Sequence, residues 1–436
     1  MSNNNSNSKK TIFCVYGIIV LLLMEGHTIA FGQILLDDTI YNLKGEKAYE
    51  KRNAEITPWA EDGTPPNPGN AALLYYQAFL LRPEPNEVIS NKIHKVAFGA
   101  EPDRQVRIYL GSCLDVIEVV EIASRMQQCT WGVWVKPVLP PSRGALRREI
   151  YSIYDILLMD ARILAADGHY RVALERCLTA LRIARHIRED PELYIFSLLF
   201  ERYALRMVRY VLGVIPPDAD ILTWFRGQLG VVLGAPPSYA KRLQELVKVY
   251  LEDIRTYPTR RSMLTNLLVG LAEDEQAKES TRNLTDEQLL LRISRGLQSF
   301  LDSIFLILDS EIAYEQKRAD MQRIISKLTE ADDTDPVIKD ILIITNMKGT
   351  INREYTSYVE HQAYINGIKA AVEVYLVVAK IGRLSETLPD GLPKDPSTGR
   401  DFIYEITDEG FALHCQDEKF LSRQSEKLEF KIKSKD

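Results

Sequence analysis

The fold is decided by residues 143–213, which read RGALRREIYSIYDILLMDARILAADGHYRVALERCLTALRIARHIREDPELYIFSLLFERYALRMVRYVLG. Apolar residues recur there at three- and four-residue spacing, as they do on the buried face of an amphipathic helix. The first run is predicted to end at Asp167-Gly168, because glycine adopts the left-handed conformation that closes a helix. A third helix is predicted to start at Asp190-Pro191, because proline lacks the N–H group that the first helical turn leaves unbonded. The stretch therefore predicts three consecutive helices.

Helical periodicity recurs on both sides of this stretch. The longest run opens at Thr285, where the hydroxyl and the Gln288 side chain form a capping box, and it continues to Leu328. Further helices are predicted for residues 71–81, 104–126, 218–232, 238–257, from 335 onward, and 354–384. The fold class that follows is mainly α: an irregular multi-helix bundle or a short solenoid-like array.

Residues 388–415 change to an alternating pattern. The apolar members of the alternation are Phe402, Tyr404, Ile406, Phe411, Leu413 and Cys415. Asp408-Glu409-Gly410 between the two runs supplies a short loop, so the pattern predicts a small C-terminal β-hairpin. Because an isolated hairpin is marginal in water, it is expected to dock on the preceding helix. Residues 426–433 are either a third strand or a charged tail.

These patterns divide the chain into four parts. Residues 1–32 read as a signal peptide, 33–215 as an N-terminal helical domain, 216–385 as a C-terminal helical domain, and 386–436 as the hairpin element and tail. Within the first part the uncharged run 11–24 would rise about 21 Å as a helix, short of the roughly 30 Å hydrocarbon core. A secreted protein, periplasmic or otherwise extracytoplasmic, is expected; the alternative is an uncleaved N-terminal segment, the chain's sole expected contact with a membrane.

Composition limits the partners. The net charge of −6 over 436 residues gives no electrostatic case for nucleic acid. Four cysteines follow the signal region, too few for a disulfide scaffold. Cys113 and Cys129 either pair in an oxidising compartment or remain two free thiols.

Two segments resemble known families. The first, residues 161–187, carries Leu164, Gly168, Tyr170, Ala173, Leu174, Ala180 and Leu181. It resembles one tetratricopeptide unit, which implies a tightly packed helical hairpin, although no second copy occurs at the roughly 34-residue period of that family. The second, residues 388–415, resembles the C-terminal hairpin of secretion-system pseudopilins and the ends of exported bacterial helical proteins of unknown function.

No chemical motif is present, and no catalytic, cofactor-binding or metal-binding residue is predicted. His186 with Glu189 and Asp190 is the densest group of potential ligands; the preferred interpretation is a positively charged helix C-terminus. Trp131 and Trp134 either line a pocket or, as is more usual, pack in the core.

Two charged sets remain open. Residues 143–209 hold twelve arginines and no lysine, which indicates either an arginine-lined groove or inter-helix ion pairs and solvated faces, with Arg182, Arg185 and Arg188 on the polar side of their helix. The aspartates around the hairpin either offer Ca²⁺ ligands or cap their own turns: Asp390, Asp395, Asp401 and Asp408.

Function is not determined by these observations. The leading hypothesis is a non-enzymatic exported scaffold or binding protein with a protein partner in the cell envelope, because stacked helical hairpins make good interaction surfaces. The alternatives are an envelope enzyme with a site assembled from dispersed residues, and an accessory component of a secretion or pilus-like system.

Overall fold

A computed structural model describes residues 69–97, 100–131, 141–190, 193–234, 238–256, 284–330, 347–416 and 428–432. Within these ranges the chain forms 12 helices and one three-stranded antiparallel sheet, so the mainly α fold is confirmed. Residues 1–32, which read as a signal peptide, together with residues 33–68, Trp134 and the start of the helix expected from residue 335, lie outside the described residues.

The elements are numbered in chain order over the described residues. The helices are α1 Ala71–Leu81, α2 Glu87–Ala97, α3 Arg104–Ser112, α4 Leu114–Arg125, α5 Pro141–Ala166, α6 Tyr170–Arg188, α7 Tyr194–Val214, α8 Ala219–Leu233, α9 Tyr239–Thr256, α10 Asp286–Leu308, α11 Tyr314–Glu330 and α12 Met347–Ile381. The strands are β1 Ile403–Thr407, β2 Gly410–His414 and β3 Leu428–Lys431.

The three predicted helices α5, α6 and α7 pack on one another and form the centre of the helical body. Gly168 has φ +85°, and the amide of His169 donates to the carbonyl of Leu164 at 2.8 Å, so glycine closes α5 as the sequence predicts. The third helix starts later than predicted. It begins at Tyr194, after the amide of Leu193 has bonded to the carbonyl of Asp190 at 3.1 Å.

Later helices pack onto this centre. α8 lies on α6, and α12 lies on both α7 and α8, so helices from either side of residue 215 contact one another. α11 packs on α12, and α10 packs on α9 and α11. Over the described residues, no helix combines the length and apolarity needed to cross a bilayer.

Two predicted continuous helices are wrong, because each is interrupted by local hydrogen bonds. Residues 104–126 break at Cys113, where the hydroxyl of Ser112 donates to the carbonyl of Tyr109 at 2.6 Å and competes with the helix ladder. The capping box at Thr285 is confirmed, but its helix ends at Leu308, whose carbonyl accepts from Nζ of Lys317 at 2.6 Å. The sequence analysis also omits α2, which Asn86 opens by accepting from the amide of Ile89.

The C-terminal sheet has the order β1-β2-β3, so residues 428–431 form the third strand. The predicted docking is confirmed, because the Tyr375 ring on α12 lies 5.6 Å from the Phe411 ring, which stacks on Phe430 at 4.9 Å. The prediction that Ile406 faces the helices is wrong: it is 50% exposed, since β1 is the outer strand and β2 takes the buried centre.

Candidate functional site

A cleft separates the C-terminal half of α7 from the sheet, and we name it the charged groove. Its volume is about 1090 Å³. It is lined by Arg206, Arg209, Tyr210, Gly213, Val214, Thr407, Asp408, Glu409, Glu429, Phe430 and Lys431. Two distant parts of the chain therefore supply its two walls.

The helix wall of the charged groove is basic. Arg206 and Arg209 are three residues apart on α7, which places them on one side of the helix. Both are half-buried. The neighbouring Tyr210 ring is covered on its other side by the guanidinium of Arg162, whose carbon lies 4.1 Å from the ring centre. This stacking holds the aromatic ring in place at the groove.

The sheet wall is predominantly acidic, since Asp408 and Glu409 form the β1–β2 turn and Glu429 lies on β3. Nζ of Lys431 pairs with the Glu409 carboxylate at 2.5 Å. That hydrogen bond and charge hold the pKa of Glu409 below its ordinary value. A basic wall and a predominantly acidic wall thus face each other across the charged groove.

A second set of polar groups converges inside the helical body, between α6, α7 and α12. The Glu201 carboxylate forms an ion pair with Nη1 of Arg188 at 3.2 Å and a hydrogen bond with Nε2 of His361 at 2.5 Å. Burial raises the pKa of Glu201, but the hydrogen bond from His361 and the charges of His361 and Arg188 outweigh it and hold the pKa below its ordinary value. Glu201 and His361 are each only 1% exposed, so this trio, the buried charge cluster, is closed to solvent.

The buried charge cluster is not predicted from the sequence, although a signal for it exists. Glu201 stands between Leu198 and Leu205 at three- and four-residue spacing, so it occupies a position of the apolar stripe. His361 does the same between Tyr358 and Ile365 on α12. A charged residue on a buried stripe requires a buried partner. The spacing identifies such a residue, but not its partner 160 positions away.

The interpretation of His186 as a charged helix end is wrong. The side chain is 4% exposed and burial lowers its pKa to about 4, so the ring is neutral near pH 7. Nδ1 lies 2.9 Å from the hydroxyl of Tyr75, and Nε2 lies 2.9 Å from the carbonyl of Met126.

The described residues contain no group of three or more His, Cys, Asp or Glu side chains arranged to hold a metal ion.

The arginines of residues 143–209 serve both predicted roles. Arg176 bonds to Asp160 at 2.8 Å and to Glu121, which ties α6 to α5 and α4. Arg188 is 8% exposed and ion-paired with Glu201 on α7, so it is one of the predicted inter-helix ion pairs. Arg206 and Arg209, by contrast, line a groove.

Asp395, Trp131 and the described cysteines have structural roles. Asp395 is fully buried and caps its own turn: its carboxylate accepts from the amides of Ser397 and Gln416, each at 2.9 Å. Trp131 is 2% exposed and stacks on Tyr75, which confirms core packing. The four cysteines in the described ranges are buried free thiols, so Cys113 and Cys129 do not pair.

Comparison with known proteins assigns no class. The chain matches no protein-family model, no curated protein and no solved structure. We therefore infer function from the geometry of the charged groove.

Proposed function

We propose that this chain is a non-enzymatic, exported scaffold or binding protein of the cell envelope, and that the charged groove holds a segment of its protein partner. The observation that carries the proposal is the opposition of the Arg206 and Arg209 wall to the acidic turn of the sheet across an open cleft. Opposed charges of this kind fix the register and direction of a bound segment.

The size of the groove favours a polypeptide. About 1090 Å³ lies at the upper limit of the roughly 300–1,000 Å³ typical of small-molecule pockets. The partner segment would present carboxylates to Arg209, where bidentate bonds are available, and lysine or arginine side chains to Asp408 and Glu429. Tyr210 offers an aromatic ring between them, a residue type enriched at binding interfaces.

The surrounding architecture supports a binding role. The tetratricopeptide-like hairpin of α5 and α6 continues into α7, and stacked helices of this kind present extended surfaces.

Export is proposed from the apolar segment in residues 1–32 and is tested by cell fractionation. Recovery of the chain in the periplasmic fraction is the expected result, and recovery in the cytoplasmic fraction would refute export.

The buried charge cluster is the observation nearest to a dispersed enzyme site. Its carboxylate, imidazole and guanidinium groups converge, but all belong to residues less than 9% exposed. A catalytic group must reach the atoms of its substrate. Burial of this cluster therefore weighs toward a structural role and leaves the groove as the better-supported site.

Site-specific photo-crosslinking in the native cell tests the groove. A benzophenone amino acid replaces Thr407, which is exposed at the groove, and in a control chain it replaces Val231, which is 71% exposed on α8. We expect a protein adduct from position 407 that is absent from position 231. Arg209→Glu should abolish the adduct, while the matched reversal Arg185→Glu, at an exposed position on α6, should preserve it.

The adduct is then identified and the crosslinked segment of the partner is purified. Its affinity for the wild-type chain should exceed its affinity for Arg209→Glu by about tenfold or more. Equal crosslinking at both positions, or an affinity that Arg209→Glu leaves unchanged, would refute the groove as the binding site.

A further inference from the structure

A smaller cleft opens between α8, α12 and the loop that follows α12, on different residues from the charged groove. We name it the lysine cleft. Its volume is about 450 Å³. Its lining residues are Arg226, Leu229, Gly230, Lys369, Val372, Glu373, Pro389, Asp390, Gly391, Leu392 and Pro393.

The inner surface of the lysine cleft is apolar. Leu229 from α8 and Val372 from α12 are 2% and 1% exposed, and Leu392 from the loop is 8% exposed. The loop is held over them by a tight turn in which Gly391 has φ +75°, a conformation that side chains with a Cβ rarely adopt. The cleft thus has a fixed hydrophobic base of a size suited to a small molecule.

Lys369 is the one cation of this cleft that has no ion pair within the described residues. The Glu373 carboxylate, one turn along α12, pairs with Nη1 of Arg226 at 3.3 Å. Lys369 itself makes no ion pair or hydrogen bond to the described residues. It is half-buried, and burial is the sole cause that lowers its pKa. A half-buried ammonium without an anion is less stable than one that is paired.

Arg226 increases the attraction for an anion. Its guanidinium is half exposed and its donors are not saturated by the single bond to Glu373. Asp390, the other acid of the lining, is exposed and makes no ion pair with Lys369. The lining therefore holds two cations and two acids. Glu373 is paired with Arg226 and Asp390 is exposed, so an incoming carboxylate meets Lys369 as a cation without an anion beside the partly engaged Arg226.

We propose that the lysine cleft binds a small carboxylic acid with an apolar body, its carboxylate on Nζ of Lys369 beside Arg226 and its hydrocarbon part on Leu229, Val372 and Leu392. The cleft volume matches a molecule of a few to about fifteen heavy atoms, within the lower part of the small-molecule range. This site does not depend on the proposed protein-binding function, because the two clefts share no lining residue.

Calorimetric titration of the full chain with hexanoate and with hexanol tests the proposal. The two probes have the same apolar chain, so their difference reports the carboxylate. Hexanoate should bind the wild-type chain about tenfold or more tightly than hexanol, since a hydrogen bond to a charged group is involved. Lys369→Met should remove this preference, and the matched control Lys380→Met, at an exposed position on the same helix, should retain it.

A second variant separates loss of charge from loss of fold. Lys369→Arg keeps the cation and should keep the preference for hexanoate, while thermal unfolding shows whether each variant is folded. The wild-type chain alone is decisive if Lys369→Met does not fold. Failure of hexanoate to bind the wild-type chain, or equal binding of hexanoate and hexanol to it, would overturn the proposal.

Discussion

The two halves of α12 are buried by different chemistry. In the first half, Tyr355 packs against the Tyr239 and Tyr314 rings, each at 5.5 Å, and His361 bonds to the buried carboxylate of Glu201. In the second half, Tyr375 and its apolar neighbours meet the aromatic face of the sheet. One helix therefore has a polar half, which carries a charged and hydrogen-bonded interface toward α7, and a dry half, which carries a mainly apolar interface toward β2 and β3. In the dry half the Tyr375 hydroxyl donates one hydrogen bond to the carbonyl of Lys431.

The contrast shows what each kind of interface contributes. Apolar burial is non-directional and stabilises in proportion to area, and it supplies most of the sheet interface. A buried ion pair requires specific geometry, and removal of one partner leaves the other charge uncompensated. The polar half fixes the position of α12 against α7, whereas the dry half attaches the sheet that completes the charged groove.

Deletion of residues 386–436 should give the largest effect. It uncovers the surface around Tyr375 and removes Phe411, Leu413 and Phe430, each buried and each contributing about 1.5–3 kcal/mol. The shortened chain should unfold at a lower thermal midpoint and bind an apolar-surface dye that the full chain does not. An unchanged midpoint without dye binding would mean that the two halves of α12 do not differ in this way.

Glu201→Gln tests the polar half. Removal of this charge leaves Arg188 and His361 buried without an anion, and breaking a buried pair lowers the free energy of unfolding by about 3–5 kcal/mol. Denaturant unfolding measures the change. Glu373→Gln on α12, which breaks the half-exposed pair with Arg226 on α8, is the matched control and should change stability by about 1 kcal/mol or less. Equal losses for the two variants would argue against the special role of the buried cluster.

His186 on α6 is a buried ionisable group whose hydrogen-bonding partners are neutral, unlike those of Glu201. These partners are the Tyr75 hydroxyl and the Met126 carbonyl. Its folded pKa of about 4 lies below the ordinary value of 6.5, so the unfolded chain takes up the proton first as the pH falls. The stabilisation is complete above pH 6.5 and is lost between pH 6.5 and 4, which amounts to about 2–3 kcal/mol between pH 7 and pH 4.5.

Denaturant unfolding at pH 7 and pH 4.5 measures this loss. His186→Gln should lose less stability on acidification than the wild-type chain, by about that amount. His169→Gln, which changes a half-buried histidine just before the same helix, is the control. This variant should lose as much stability between pH 7 and pH 4.5 as the wild-type chain loses. Identical pH dependence in all three chains would refute the assignment.

The dry half of α12 could be predicted from sequence and the polar half could not. Alternation through Phe411 and Leu413 identifies a hairpin, and its need for an apolar surface identifies α12 as the nearest partner. Periodicity records which residues are buried, but not which distant residue each one meets. Glu201 and His361 pair across 160 positions, and the groove joins α7 to a turn about 200 residues later, so neither is visible in local patterns.

Ile406 shows the limit even within the hairpin. Period-two alternation assigns it to the same face as Phe402, but β1 is the outer strand and leaves it half exposed. The strand order that decides this depends on β3, whose short sequence allows either a strand or a tail. Local sequence patterns do not reveal the lysine cleft either, because its walls meet only through the packing of α8 on α12.

The most direct test of a core shared by the helical body and the sheet is a double-mutant cycle between Tyr375 and Phe411. Each residue is replaced by leucine, singly and together, and the free energy of unfolding is measured for the four chains. The ring contact at 5.6 Å predicts a coupling of about 0.5–1.5 kcal/mol. Tyr375 with the exposed Ile406 is the control pair and should be additive. Additivity of Tyr375 and Phe411 within about 0.3 kcal/mol would contradict a shared core.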